Sequence, residues 1–222
     1  MGDFVFSPPA VVIAHAGATA SMSESEAFKP ERIEKQMAIS PEMRVAFKDF
    51  RLITPHIEYH DRMTLNAGER TMELYYLKNV HSEADSAIWL PKERVLFTAA
   101  SVGVKRFGNH RPFVSIPDTL SAIKMMKALN PQVVIPGHGN PGTAKILDDM
   151  ENYYSKLMEG VRQMVKEGKS LDQIKKELKI PGTEDWEGQD ATASLVPRRR
   201  AHSWIPGATR SARLCSGILL RT

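Results

Sequence analysis

The stretch Val133-Val134-Ile135-Pro136-Gly137-His138-Gly139 brings three β-branched residues up to a proline–glycine break and sets a histidine between two glycines. Such a run predicts a buried strand with an abrupt stop at Pro136-Gly137. Glycine on each side of His138 removes side-chain bulk, so the backbone can curve closely around whatever the imidazole holds. Neutral imidazole is the commonest protein ligand for transition metals. The stretch therefore predicts a metal-site loop at the end of a core strand, against the plain alternative of a turn histidine bonded to backbone. Its partners, if it has any, must lie elsewhere in the chain.

Composition narrows where they can be. The chain has 222 residues, 42% of them hydrophobic and 25% charged, which suits a soluble globular domain with or without an extension. A lone Cys215 rules out an intrachain disulfide framework and a Cys-x-x-Cys zinc site, so any metal must be held by histidine and carboxylate. No stretch approaches the roughly 18 apolar residues of a membrane span. The N-terminal Met1-Gly-Asp-Phe-Val-Phe carries an acid where a signal peptide carries bases, and the expected location is cytoplasmic. The basic character is local. All 26 acidic residues lie at or before Asp190, together with 24 of the 30 basic ones, a net charge of −2. Beyond Asp190 stand six arginines, no lysine and no acid. Basicity is thus no argument for nucleic acid, and neither nucleic acid nor membrane is an expected partner.

Working outward from Val133, the helical period is clear on both sides. After Pro117, Asp118 can cap a helix with Leu120, Ile123, Met126 (or Met125) and Leu129 on one face. Residues 143–167 place Ile146, Met150, Tyr153, Leu157, Val161 and Val165 at helical spacing, which makes the methionines and tyrosines core. Ser170 and Gln173 form a capping-box signature for a last helix with Leu171, Ile174 and Leu178. Between Arg51 and Phe97 the pattern is of short strands: Ile57–His60, Met63–Leu65, a turn at Asn66–Glu69, Met72–Leu77, and a hairpin of Ser86–Leu90 and Arg94–Thr98 around Pro91-Lys-Glu. Nearer the N-terminus, Val11–Ala14 predicts a strand ending at His15. Ser40-Pro41 predicts a capped helix start within a polar, helix-leaning segment. The interleaving indicates an α/β domain. Residues 1–190 are expected to form it. Residues 191–222, without any period, are expected to be an Arg-rich disordered tail, as a shifted reading frame would produce; a phosphate- or membrane-contacting tail is the rival.

A second stretch answers the question set by His138. Asn79-Val-His81-Ser-Glu-Ala-Asp85-Ser-Ala-Ile-Trp-Leu90-Pro-Lys-Glu-Arg-Val-Leu-Phe97 closes one strand with a histidine and leads through a polar turn into a hairpin. This stretch, followed by helix and the Pro136-Gly-His-Gly139 turn, resembles the metallo-β-lactamase-fold hydrolases over roughly residues 10 to 180. The resemblance implies an αββα sandwich. It also implies two zinc ions, or other divalent metals, that share a hydroxide and attack an ester, lactone, lactam, thioester or phosphoester. It makes His81 the last histidine of the first metal's set and His138 the histidine of the second metal.

Two departures change the expectation. The family's His-x-His-x-Asp-His cluster is absent, and Phe4–His15 resembles the segment that follows it, so the sandwich is expected to lack its N-terminal strands. Ala100 stands after Leu96-Phe-Thr-Ala99 where the family has a metal-bridging aspartate; a methyl group cannot ligate, and the Ser101 hydroxyl is a poor substitute. His81 and His138 are the only metal positions the resemblance supplies, and no catalytic residue is assigned. The expected function is therefore a hydrolase descendant inactive by itself. The alternative is a fragment or partner-binding domain completed by another chain. Partners would be a small-molecule substrate if active, a second copy, or a complementing chain.

The remaining candidates take plainer expectations. Asp85 is a turn cap before it is a ligand. His15 is structural, and His56 and His60 are surface or half-buried strand residues. His110, Arg106 and Arg111 lie in a loop that can border the pocket, with both arginines solvated rather than bound to an anionic substrate. No G-x-S-x-G, P-loop or dinucleotide fingerprint is present.

Overall fold

A computed structural model describes residues 3–25, 28–107 and 114–187, together with two short strands beyond them. The chain divides into two compact units between Met63 and Thr64.

The first unit contains α1 (Asp3–Phe6), β1 (Ile13–His15), α2 (Gly17–Glu24), α3 (Pro30–Met37), α4 (Pro41–Phe47) and β2 (Ile57–Tyr59). The expected Ser40-Pro41 helix start is present: the Met43 N–H donates to Ser40 Oγ at 3.2 Å, and Pro41 needs no intrahelical donor there. Strands β1 and β2 run parallel, with Ile13 opposite Ile57 and His15 opposite Tyr59. Phe4 meets Phe50 edge-on at 5.3 Å, and Phe28 stacks on Phe50 at 6.4 Å. Ile33 and Tyr59 are the buried hydrophobic residues of this unit among those described.

The second unit is built on one sheet of five strands in the order β3 (Arg62–Ala67), β4 (Arg70–Tyr76), β5 (Ser86–Leu90), β6 (Val95–Gly103) and β7 (Val133–His138). Strands β4 and β5, and β5 and β6, pair antiparallel, with Arg94 closing the turn between the last two; Gly68, at φ +63°, sits in the turn from β3 into β4. The last pair, β6 with β7, is parallel and is joined through α5 (Ile116–Ala128), which spans the long connection a parallel pair requires. Helices α6 (Lys145–Lys166) and α7 (Leu171–Glu177) follow.

Alternation along the strands decides what faces the helices. Trp89, Leu96 and Val134 lie opposite one another on neighbouring strands and are buried. They belong to one core with Ile123 and Met126 of α5, Leu147, Met150, Tyr153 and Leu157 of α6, and Ile174 of α7. Lys127 ties α5 to α6 through Asp148 and Glu151, each at 2.6 Å. On the other face, Ile88, Phe97 and Val133 remain 37%, 37% and 38% exposed. Among the described residues, this unit is one helical layer on one side of a single mixed sheet, half of a four-layered αββα arrangement.

Two expectations change. The cap of α5 is Ser115, not Asp118: the Asp118 N–H donates to Ser115 Oγ at 3.2 Å, and Pro117 sits inside the first turn. A serine two residues before proline fits a helix start better than an acid one residue after it. Nor does β7 stop at Pro136-Gly137; it runs on to His138. The continuation is possible because β6 bulges beside it. Its register shifts between Phe97 and Ala99 and again between Ala99 and Gly103, so that Ala99 lies opposite Pro136 and Gly103 opposite His138. Bulging beside Pro136 accommodates a residue that cannot donate to the ladder.

The expected tail over residues 191–222 lies outside the described residues, apart from β8 (Leu195–Pro197) and β9 (Ile218–Leu220), which pair antiparallel. No described helix is long and apolar enough to cross a membrane.

The β6 bulge makes opposite predictions for two small-residue changes. A Cβ on Gly137 would stand 2.4 Å from the Ala99 carbonyl oxygen. Gly137→Ala is expected to lower stability by about 2 kcal/mol, because backbone must move to admit the methyl. Ala99 holds φ +47°, a conformation glycine adopts freely. Ala99→Gly is expected to raise stability by about 0.5–1 kcal/mol. Urea unfolding of both variants checks the pair.

Candidate functional site

Contrary to the sequence expectation, His81 does not close β4; the strand ends at Tyr76, and His81 lies in the bend that follows. Leu77 and Val80 are buried and anchor the approach, which leaves His81 half-buried at the start of a tight turn. The turn is closed by Asp85. Its Oδ2 accepts from the backbone N–H groups of His81 and of Ser82, the latter at 2.8 Å, and its Oδ1 accepts from the Ser82 hydroxyl at 2.5 Å. The Asp85 carbonyl in turn accepts from the Leu77 N–H at 2.8 Å. A short acidic side chain that satisfies consecutive backbone donors in this way is a turn cap. Both carboxylate oxygens are engaged, so Asp85 is positioned as structure and not offered as a ligand.

The surroundings of this turn are acidic. Tyr76 donates its hydroxyl proton to the Glu83 carbonyl at 3.1 Å, and its own pKa is raised by burial and then by Asp85, Glu83 and Asp118. Lys78, held at φ +63°, offsets part of that charge at 3.9 Å from Asp118.

His138 ends β7. Its carbonyl accepts from the Val104 N–H at 3.0 Å, and its side chain is exposed. Gly139 follows at φ +92°, where an added Cβ would lie 2.8 Å from Val104 Cβ. The two glycines flanking His138 are therefore required by close approach, Gly137 to the Ala99 backbone and Gly139 to Val104.

Ala100 lies inside the β6 bulge. It is half-buried, and the two residues after it, Ser101 and Val102, are 5% and 1% exposed. The Ser101 hydroxyl donates to the Thr98 carbonyl, closing the bulge on itself. Ser101 is thus occupied by local backbone, as serine often is in irregular strands. The segment where the resemblance expects a metal-bridging carboxylate is packed and paired up to Gly103.

The donor chemistry does not fit a dinuclear zinc centre. His81 and His138 supply two imidazoles, Ala100 supplies none, and Asp85 is committed to its turn. Among the described residues no group of three or more His, Cys, Asp or Glu side chains is placed to hold a metal ion. Catalytic zinc uses three protein ligands and structural zinc four.

Sequence reasoning missed a strap beside this region. Residues 105–107 continue from β6 and pair with the segment at 187: the Glu187 N–H donates to the Lys105 carbonyl at 2.8 Å, and the Phe107 N–H to the Glu187 carbonyl at 2.9 Å. Trp186 packs on Phe107 at 5.4 Å and on Tyr153 at 5.1 Å. Lys105 bonds Asp185, which raises the lysine pKa and lowers that of the acid. Arg106, expected to be solvated, is exposed and lies 3.9 Å from Glu187. The signal was the isolated Trp186 after Pro181-Gly182, an aromatic in a polar segment. His110 and Arg111 lie outside the described residues.

Among the described residues, the other histidines belong to the first unit. His15 is half-buried at the end of β1, its Nδ1 accepting from the Gly17 N–H at 3.1 Å. His56 and His60 are exposed, and His56 Nδ1 accepts from the Val12 N–H at 2.9 Å.

No family profile and no curated protein matches this chain. Solved structures do. A double mutant of the sec-alkylsulfatase PisA1 superposes with a TM-score of 0.63 at 17% identity, covering 83% of this chain and 34% of the sulfatase. The inverting sec-alkylsulfatase Pisa1 from Pseudomonas sp. gives 0.51 at 19% identity, over 60% of this chain and 23% of its own. A metallo-β-lactamase from Pontibacter korlensis gives 0.45 at 19% identity, over 65% and 68%. The chain thus spans about a quarter to a third of the two sulfatase structures. The strand order, the single helical layer and the two sulfatase superpositions together give the chain the α/β fold of those sulfatases over the stretch they cover, in keeping with the fold the resemblance implies.

Proposed function

We propose that this chain is a descendant of metal-dependent hydrolases that does not hydrolyse by itself. The observation that carries the reading is Ala100, set in a bulge that β7 and the Ser101 hydroxyl close. An intact relative would place a carboxylate there between two metals. Here the side chain is a methyl, and the strand continues past it to pair with His138. His81 and His138 then remain as ligand positions without the donors that would complete them. The substrate class of a working relative would be an ester, lactone, lactam, thioester or phosphoester, and the expected compartment is the cytoplasm.

A second reading is completion by another chain that carries the His-x-His-x-Asp-His strands. It is favoured by the apolar side chains Ile88, Phe97 and Val133, left exposed on the sheet face away from the helices. Co-purification of such a chain in equal amount, with zinc bound only in the pair, would select it over simple loss of function.

Two measurements test the first reading. Equilibrium dialysis of the purified chain against zinc, followed by elemental analysis, is expected to leave less than one ion per chain. Ala100→Asp is expected not to raise that number. Two ions per chain would overturn the proposal. Asp85→Ala is expected to destabilise the chain by about 1–2 kcal/mol through loss of the turn cap, equally with zinc and with chelator. A loss seen only with zinc would make Asp85 a ligand.

A further inference from the structure

The first unit holds two histidines whose ring nitrogens accept backbone protons on either side of the same three-residue strand. Before β1, the Val12 N–H donates to His56 Nδ1 at 2.9 Å, while the His56 N–H donates back to the Val12 carbonyl at 2.8 Å. After β1, the Gly17 N–H donates to His15 Nδ1 at 3.1 Å, next to the Ala16 N–H, which reaches the Tyr59 carbonyl at 2.8 Å. Between these two points β1 and β2 pair over only three residues. So short a parallel ladder is marginal, and the bonds at its ends supply a large share of what holds it.

We propose that His15 and His56 form an acid-sensitive clasp that keeps β1 docked on β2 only while their Nδ1 atoms accept these backbone protons. A ring nitrogen that accepts a backbone N–H has its lone pair engaged. A proton on it removes the acceptor and sets two donors face to face. Nothing in the proposed loss of metal chemistry bears on this clasp, since His81 and His138 lie in the other unit.

The charges around His15 set the direction. From β2 and the residues after it, His60, Asp61 and Glu58 face the ring; the His60 ring stands edge-on at 6.5 Å and that of Tyr59 at 5.9 Å. The start of α2 presents no ionisable group, and its Thr19 hydroxyl bonds Glu58 at 2.5 Å. Burial, then His60, lowers the His15 pKa from 6.5, and the pull of Asp61, of the His60 backbone and of Glu58 the other way is smaller. Facing His56, residues 10–14 carry no charge, and its own strand contributes Glu58. For His15 the sign follows. The folded value is depressed, so its contribution is full above 6.5 and declines as pH falls below it.

Hydrogen exchange of the full chain, read at single amides by NMR at pH 8 and pH 5 and normalised for intrinsic rate, tests the clasp. Protection of the Val12 and Gly17 amides is expected to fall about tenfold at pH 5, while Leu96 and Val134 hold theirs. The double variant His15→Asn with His56→Asn, whose amide oxygens accept without titrating, is expected to keep protection at both pH values. Unchanged protection of wild type at pH 5 would overturn the proposal, as would equal loss at Leu96 and Val134 or equal loss in the double variant. Should the double variant not fold, the imidazole ¹⁵N shifts of wild type decide. Amide protection must fall in step with Nδ1 protonation of His15, and loss at a different pH overturns the clasp.

Discussion

The parallel pairing of β6 with β7 is the constraint on which the larger unit depends. Leu96 and Val134 meet across it and carry the helical layer. Beyond them the strands stay paired past a proline, so β6 must bulge. The bulge drives Ala99 to a positive φ and presses its carbonyl against Gly137. One backbone contact thus explains the glycine before His138, the strained alanine, and the inward turn of Ser101.

The same contact governs the chemistry. A metal site at this edge needs side chains that point out of the strand ends and are free to coordinate. In this chain the candidate edge is consumed by pairing. Ser101 serves the bulge, Asp85 serves the turn beneath His81, and Trp186 pins residues 105–107 to the helical layer. Ser101 and Asp85 each have a local structural partner.

Much of the scaffold was legible because periodicity reports burial directly. The stripe from Ile146 to Leu157 became the buried face of α6, and the capping signature at Ser170 and Gln173 became a reciprocal pair of bonds. Local signals also misled where two of them competed. Asp118 and Ser115 are both good caps, and the position of Pro117 favoured the serine. Pro136-Gly137 has the composition of a strand stop, yet a partner strand able to bulge carried β7 through it. Nothing within seven residues of His138 contains that information.

Taken alone, the sequence determined an α/β chain that resembles the metallo-β-lactamase-fold hydrolases, with His81 in a polar turn, His138 at a strand end and no carboxylate at position 100. Those are matters of residue identity, order and period, which need no coordinates. Tertiary structure decided what became of the neighbours. It made Asp85 a cap, Ser101 a clamp on the bulge, Gly137 a steric requirement and His15 a backbone acceptor. The reason is physical: a polar side chain takes its role from whichever donor or acceptor lies within hydrogen-bond reach, and that partner is delivered by chain segments distant in sequence.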